Sequence, residues 1–560
     1  MKKHINPVSR SRKSFVVFIT IFAFFQAALA QEKFSIVRAN SSKVDIRDGE
    51  VYQKGIWNLS PEIKPDIYYS LDPVANKKIT FYTDIDSVTF DVEVGREYSF
   101  IILLNDKDSC FTKISNIHRE KKTDENVLIS GLIHPELLQQ DFAVFKSMLE
   151  KEHPGLYRYL DKASVNRIFD SCFSTLHRPI SQLDFAKLIT YAISSIKDGH
   201  TGTNVSRLLM KYYGESKKLF PVYVYFINDK AFVLCSRIAE LSPGCELLSI
   251  DSKSVTEIKN KLFQYLPSDG TIESKKMHTL NNGAFFFLFD WIYGSKERFV
   301  VQFKDFQGNI KTTVVNADLI SDLDCDYENG RGKGKLELSY PIPGAALLAI
   351  NTFDDSRLAG ENFFKKFLDS AFSEINRRSV SNLIIDLRGN AGGTDTYGAL
   401  LYSYLADKPF KYFLSVETTT KKFTLAENEL LGKQHPQPGA FRGDVYFLVN
   451  GLSFSTTADF CAIARGNNRG VFVGEETGGA YNGNTSGRVN QLQLRNSKIM
   501  VTIPLVKYIN DVPETKQSDR GVIPDFKVLP SIHDILMRRD AQLEFIIEKV
   551  NEKMKKSVVR

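Results

Sequence analysis

From about Ser339 onward, four apolar runs, ALLAIN, NLIIDLRG, DVYFLVN and GVFVGEE, alternate with the helical patterns ENFFKKFLDSAFSEI, YGALLYSYLA and a third that opens near Ser455. Runs without polar alternation must be buried on both faces, which antiparallel sheets open to water do not require. Parallel pairing supplies that environment, with each intervening helix acting as a crossover. The expected fold is therefore a βαβ array over a mostly parallel sheet, with an α/β core over about residues 339–530.

The rest of the chain differs in period. Residues 31–130 alternate apolar and polar positions with frequent turn residues (KKITFYTD, SVTFDVEVG), which predicts a β-rich N-terminal domain. Residues 131–205 form a helical segment: LLQQDFAVFKSMLEKEHPGLY stops at His153-Pro154, and SQLDFAKLITYAISSIK opens with a Ser181-x-x-Asp184 capping box. Residues 206–330 return to strands around one helical pattern, VTEIKNKLFQYL, giving an α+β module, and residues 531–560 end the chain as a solvated helix. A length of 560 residues agrees with several domains.

At the N-terminus, basic MKKHINPVSRSRK precedes the eleven-residue apolar run Phe15 to Phe25 and then Ala28-Leu29-Ala30. Residues 1–30 read as a signal peptide, too short in its apolar part to span a bilayer. The expectation is an exported chain, periplasmic or extracellular, with no integral membrane segment after cleavage. Net charge is +7, and removing the five lysines and arginines of the leader leaves +2, so nucleic-acid binding is not indicated. Six scattered cysteines without C-x-x-C spacing predict no metal site and define no disulfide framework.

Two strand-to-helix turns hold the chemistry. In VYFLVNGLSFSTTADF a strand meets Gly451 and a hydroxyl cluster just before a helix, where unpaired N–H groups and the positive end of the helix dipole gather. Ser453 or Ser455 could cap that helix, or one could be a nucleophile facing an oxyanion site. In NLIIDLRGNAGGTDT, Gly389, Gly392 and Gly393 allow backbone N–H groups to approach a ligand, without the spacing of a nucleotide loop. Both turns fall at the carboxyl edge of the sheet, where open α/β folds bind ligands. His200, in the Gly-bounded turn KDGHTGTN, is the histidine best placed on a loop, as a surface residue or a base.

Taken together and in this order, DGHTG, DLRGNAGG, NGLSFSTTADF, VGEETGGA and RGVIPDF resemble the tail-specific or C-terminal processing serine peptidases, relatives of the tricorn core protease and of interphotoreceptor retinoid-binding protein. The resemblance implies a crotonase- or ClpP-like stack of βαβ units. It implies Ser455 as nucleophile and oxyanion donors at the N–H of Thr456 and of Gly392 or Gly393. Thr477 and Gly478 match the motif where better-known members carry a nearby lysine, which this chain lacks. The tricorn-like branch uses an upstream histidine, which implies His200 as base, and an imidazole can accept a proton at neutral pH where an ordinary lysine is already charged.

Asp519 or Glu514, with Asp525 close by, could orient the imidazole or simply hold a loop. Asp459 falls one position after Ala458, which stands where the family has a glutamate. Asp386 and Arg388 match supporting residues of the family, or form a structural ion pair. The 206–330 module resembles a degenerate PDZ-like domain through PGCELLSIDSKSV, with a C-terminus-binding role or none. The resemblance thus implies an exported serine endopeptidase acting on polypeptides, some through their C-termini, without metal or cofactor. The missing lysine motivates a second expectation, an inactive relative that binds peptides or apolar ligands.

Overall fold

The structure, a computed structural model, describes the backbone of eight strands between residues 34 and 119, then residues 131–204, 212–323, 336–358, 362–515 and 518–558. The signal-peptide expectation at 1–30 lies outside the described residues. The chain divides into two units, Met1–Gly131 and Leu132–Arg560. In the first, strands Phe34–Asn40, Glu97–Asn105 and Phe111–Arg119 form one antiparallel sheet, and Tyr68–Asp72, Lys78–Tyr82 and Ser87–Asp91 another.

The second unit opens with helices α1 (Pro135–Glu152), α2 (Lys162–Ser174) and α3 (Gln182–Ser195). Helix α1 stops before Pro154, whose ring is incompatible with a continuing helix. Helix α3 starts at Ser181, whose hydroxyl accepts the Asp184 N–H at 3.1 Å. A short strand, β1 (Gly202–Asn204), follows directly after the His200 turn.

The α+β module carries β2 (Val222–Ile227), β3 (Lys230–Ser236), β4 (Glu246–Ile250), β5 (Lys253–Ser254), helices α4 (Val255–Phe263), α5 (Ser274–Thr279) and α6 (Phe285–Tyr293), then β6 (Arg298–Lys304) and β7 (Ile310–Asn316). Its sheet order is β2-β3-β4-β6-β7, with β5 beside β4. The single helical pattern expected here is α4; α5 and α6 are additional. FFFLFDWIY is apolar on nearly every face, so it shows no amphipathic period and reads equally as strand or buried helix.

The core begins with β8 (Leu336–Ile342), β9 (Ala345–Ile350), α7 (Phe363–Arg377), β10 (Asn382–Asp386) and α8 (Asp395–Ser403). It continues through β11 (Phe413–Glu417), β12 (Asp444–Val449), α9 (Thr456–Gly466), β13 (Val471–Gly474), β14 (Thr485–Gln493), β15 (Met500–Asn510) and β16 (Phe526–Lys527). The main sheet runs β8-β9-β10-β12-β13-β16, parallel from β9 onward and antiparallel only at β8.

Each central strand is buried on both faces. One face, including Leu348, Leu383, Ile385 and Phe447, meets Phe364 and Leu368 of α7, Leu401 of α8 and Phe460 of α9. The other, Ala345, Ile384, Leu448 and Val473, meets Ile546 and Val550 of the last helix, α10 (Ala541–Val558). The tail expected as one helix over 531–560 is thus split, with a separate turn of helix at Ile532–Leu536, and its apolar side covers the sheet.

A second sheet, β1-β15-β11 with β14 on β15, joins the helical segment to the core. Gly202 pairs with Thr502, which fixes the preceding turn against the β14–β15 hairpin. Leu494, Ile499, Val501 and Ile503 of that hairpin region share one apolar cluster with Phe142, Phe169 and Ile189 of α1, α2 and α3. Among the cysteines, Cys172, Cys245 and Cys461 are free and buried, and Cys235 is disulfide-bonded.

Candidate active site

Parallel registry of β10 with β12, Asp386 opposite Leu448, brings the glycine turn and the hydroxyl turn out at one edge. The hydroxyl turn is held by Ser453, which is fully buried. Its Oγ accepts the Asn450 N–H at 3.1 Å and donates to the Leu387 carbonyl at 2.9 Å. The Gly478 N–H donates to the Ser453 carbonyl at 2.9 Å. A Cβ at Gly478 would stand 2.0 Å from the Gly451 carbonyl oxygen, so this position admits only hydrogen. Thr477 secures the same corner: its hydroxyl accepts the Val522 N–H at 2.8 Å and donates to the Gly479 carbonyl at 3.1 Å.

Ser455 is the residue that does not cap. Its backbone sits at φ 56°, ψ −132°, a conformation rare outside glycine, and its side chain makes no capping hydrogen bond to α9. A strained, half-exposed serine at the start of a buried helix leaves its hydroxyl available for chemistry. Of the two serines left open by the sequence, Ser453 serves the turn and Ser455 stays free of it.

The glycine turn lies directly against Ser455. A Cβ on Gly392 (φ 97°) would approach the Ser455 Cβ to 2.7 Å and the Thr456 nitrogen to 2.9 Å. The Gly392 N–H is already taken by Asn390 Oδ1 at 2.9 Å, which corrects its expected part as an alternative oxyanion donor in this arrangement. Among the described residues no backbone hydrogen bond engages the N–H of Gly393 or Thr456. The buried Thr456 Oγ1 lies 2.9 Å from the Gly393 carbonyl oxygen and 2.7 Å from Asp395 Oδ1, within reach of both for its single proton, which ties the two turns together.

His200 stacks on Phe454, the neighbour of Ser455, with ring centroids 4.3 Å apart at 26°. The residue is half-buried, yet both ring nitrogens are covered and neither has a hydrogen-bond partner. Burial pushes the imidazole down to about 3, and Lys275 and His153 add to this against the attraction of Asp198. The turn itself is firmly built. Asp198 Oδ1 accepts the N–H of His200 at 3.0 Å and the N–H and Oγ1 of Thr201, both at 2.8 Å. Thr201 Oγ1 also lies 2.8 Å from His153 Nε2. The Gly155 N–H donates to His153 Nδ1 at 3.1 Å.

The two acids proposed from sequence do not touch the imidazole here. Asp519 Oδ2 accepts the Thr271 hydroxyl at 2.8 Å, and Glu514 is exposed. Asp525 pairs with Arg465 at 2.7 Å. The Asp459 carboxylate receives amide donors from Asn484 at 2.7 Å and Asn510 at 3.0 Å. Asp386 and Arg388 form a structural clamp, with the guanidinium reaching Asp386 at 2.6 Å and Asp540 at 2.7 Å.

Sequence reasoning did not find Asp269 or Lys275. Asp269 Oδ1 accepts the Gly199 N–H at 2.7 Å, and Lys275 Nζ donates to the Gly199 carbonyl at 2.6 Å. Neither carries a local signal, since both come from the module and meet the histidine turn only in three dimensions. Asp198 did have one: Asp-Gly-His-Thr is an Asx-turn sequence.

A half-exposed serine at a strained strand-to-helix turn, unengaged N–H groups beside it and a histidine one residue away define a serine-type hydrolytic centre. Residues 344–528, the α/β core, match the family model described as Peptidase family S41, which supports a serine-type peptidase. The fold agrees. Mature CPAF complexed with lactacystin is similar at a TM-score of 0.53 and 15% identity, covering 76% of this chain and 98% of that one. Mature CPAF alone gives 0.51 and 15%, covering 72% and 94%. A photosystem II D1 C-terminal processing protease is more distant, at 0.36 and 13%, covering 72% and 96%.

Proposed function

We propose that this chain is an exported endopeptidase of the tail-specific type, with Ser455 as nucleophile and His200 as base. A nitrogen of the neutral imidazole takes the Ser455 Oγ proton as the Oγ–C bond forms. The carbonyl oxygen gathers negative charge against the N–H groups of Thr456 and Gly393. The imidazolium then gives its proton to the leaving amine as the C–N bond breaks, and water, activated by the same ring, releases the acyl group. The observation that carries this reading is the uncapped, strained Ser455 beside unengaged backbone donors.

Neither His200 ring nitrogen has a hydrogen-bond partner here, so proton transfer requires the ring to reach the Ser455 hydroxyl when substrate binds, as unliganded catalytic pairs commonly do. Either Asp519 or Glu514 would orient the ring after that approach. The α+β module would present polypeptide C-termini to the site by strand addition in a PDZ-like manner. Export rests on the leader-like residues 1–30, and a disulfide at Cys235 suits an oxidising compartment.

The test is labelling of the purified protein with a fluorophosphonate serine probe, comparing wild type with Ser455→Ala and His200→Ala and mapping the adduct by mass spectrometry. The expected result is an adduct on Ser455 that is absent in Ser455→Ala and at least about 100-fold slower in His200→Ala. Equal labelling of Ser455→Ala would overturn the assignment. A folded wild type that never labels would favour a peptide-binding relative instead.

A further inference from the structure

Lys275 lies outside the serine–histidine pair and outside the sheet that builds the nucleophile turn, yet it touches the neighbours of both proposed catalytic residues. Its Nζ donates to the carbonyl of Gly199, the residue before His200, at 2.6 Å. The same Nζ stands 3.7 Å from the ring centroid of Phe454, the residue before Ser455, and His200 stacks on that ring. A Cβ at Gly199 would meet Asp269 Oδ1 at 2.9 Å, Lys275 Nζ at 3.0 Å and Phe454 Cε2 at 3.0 Å, so three elements converge on one peptide unit. That unit is gripped at both ends, its N–H by Asp269 and its carbonyl by Lys275.

The backbone of α5 is wedged into the nucleophile turn as well. A Cβ at Gly451 would stand 2.3 Å from the Ser274 carbonyl and 2.7 Å from the Lys275 nitrogen. A Cβ at Gly478 would lie 3.3 Å from the Lys275 Cβ. Helix α5 therefore contacts the turn that carries Ser455 while its lysine holds the turn that carries His200. We propose that Lys275 is a positioning residue: it fixes the His200 turn in register with the Ser455 turn and sets its ammonium against the Phe454 ring on which the imidazole stacks. This rests on the reading of His200 as base.

The charges facing the ring are Asp198 on its own turn, His153 after α1, and Lys275 on α5. Asp269 lies behind Gly199, and Lys276 is next along α5. Asp198 favours the imidazolium, whereas Lys275 and His153 oppose it. Burial draws Lys275 itself down to about 8, with Asp269 and Asp198 resisting, so the ammonium persists at neutral pH.

Removing the charge should thus raise the basicity of His200. Lys275→Met keeps the length of the side chain, and Lys275→Gln gives a second neutral comparison if the methionine does not fold. In full-length protein the expected result is a fall in kcat of about 10-fold or more with KM within about 2-fold, because alignment is lost and binding is not. The acidic limb of kcat/KM should move to higher pH, which loss of packing alone would not do.

Histidine-selective 13Cε1 NMR, with the His200 signal assigned by its absence in His200→Gln, reads the same shift whether or not the chain is active. An unchanged limb and an unchanged His200 titration would overturn the proposal, as would failure of both neutral variants to fold, since the lysine would then be merely structural. Failure of the catalytic reading looks different: Ser455→Ala and His200→Ala would label as wild type does, while the NMR comparison still reports on Lys275.

Discussion

Asp459 shows how burial at a single residue overrides ordinary acidity. It follows the proposed nucleophile by one helical turn, and its N–H donates to the Ser455 carbonyl at 3.0 Å. Burial, with repulsion from Asp395 behind it, pushes the carboxyl up to about 8 against the amide donors of Asn510 and Asn484. Because this folded value lies above the unfolded value of 3.8, the folded chain holds a proton that the unfolded chain releases. Stability from this site is complete below about pH 4 and is lost as pH rises toward 8, at up to about 1.4 kcal/mol per unit. In urea unfolding from pH 5 to pH 8, Asp459→Asn should show a shallower decline than wild type, and parallel declines would contradict this. The sequence showed an acid near a motif position; only the packing showed that it faces two asparagines.

At the scale of elements, the sequence made plain whatever had a local period or cap. The apolar runs of the core, the Ser181 cap of α3 and the Pro154 stop of α1 all depend on neighbours within a turn or two. Helix α6 was missed because a short, uniformly apolar segment carries no period, and α5 because the six mostly polar residues SKKMHT are too few to show one. Their placement matters, since α5 is fastened to the sheet by His278, whose Nε2 lies 3.0 Å from Glu475 Oε1 just beyond β13. Burial alone would lower His278, but Glu475 raises it on balance, and His278 in turn holds the buried Glu475 below its usual range.

The histidine contribution is fully present below the unfolded value of 6.5 and fades as pH climbs through the raised folded value. Glu475→Gln should therefore cost about 3 kcal/mol at pH 6, where an imidazolium is left without its partner, and clearly less at pH 9. Guanidinium unfolding at both pH values checks this, and an equal loss at the two would show that the pair acts only by packing.

On the scale of the whole molecule, the boundaries read from sequence follow changes of period, whereas the cores follow contact. Residues 131–205 read as a separate helical segment, but their apolar cluster is completed by Leu494, Ile499, Val501 and Ile503 of the core hairpin. Cutting the chain between them would expose both halves of one core. A fragment of residues 339–530 should accordingly fail to fold, while 132–560, which forms one unit, should fold and retain probe labelling at Ser455. Circular dichroism melts and adduct mapping of the two fragments test this, and a cooperative melt from 339–530 would refute it.

By itself the sequence determined the parallel α/β core, the strand-to-helix turn holding Ser453 and Ser455, and the glycine turn beside it. Each is set by periodicity, turn chemistry and helix-end chemistry that act over a few residues. Only the tertiary structure decided that Ser453 serves the turn while Ser455 stays uncapped, that Asn390 takes the Gly392 N–H, and that Phe454, His200 and Lys275 meet. Those outcomes depend on desolvation and on contacts between segments distant in the chain, and neither leaves a pattern in the local order of residues.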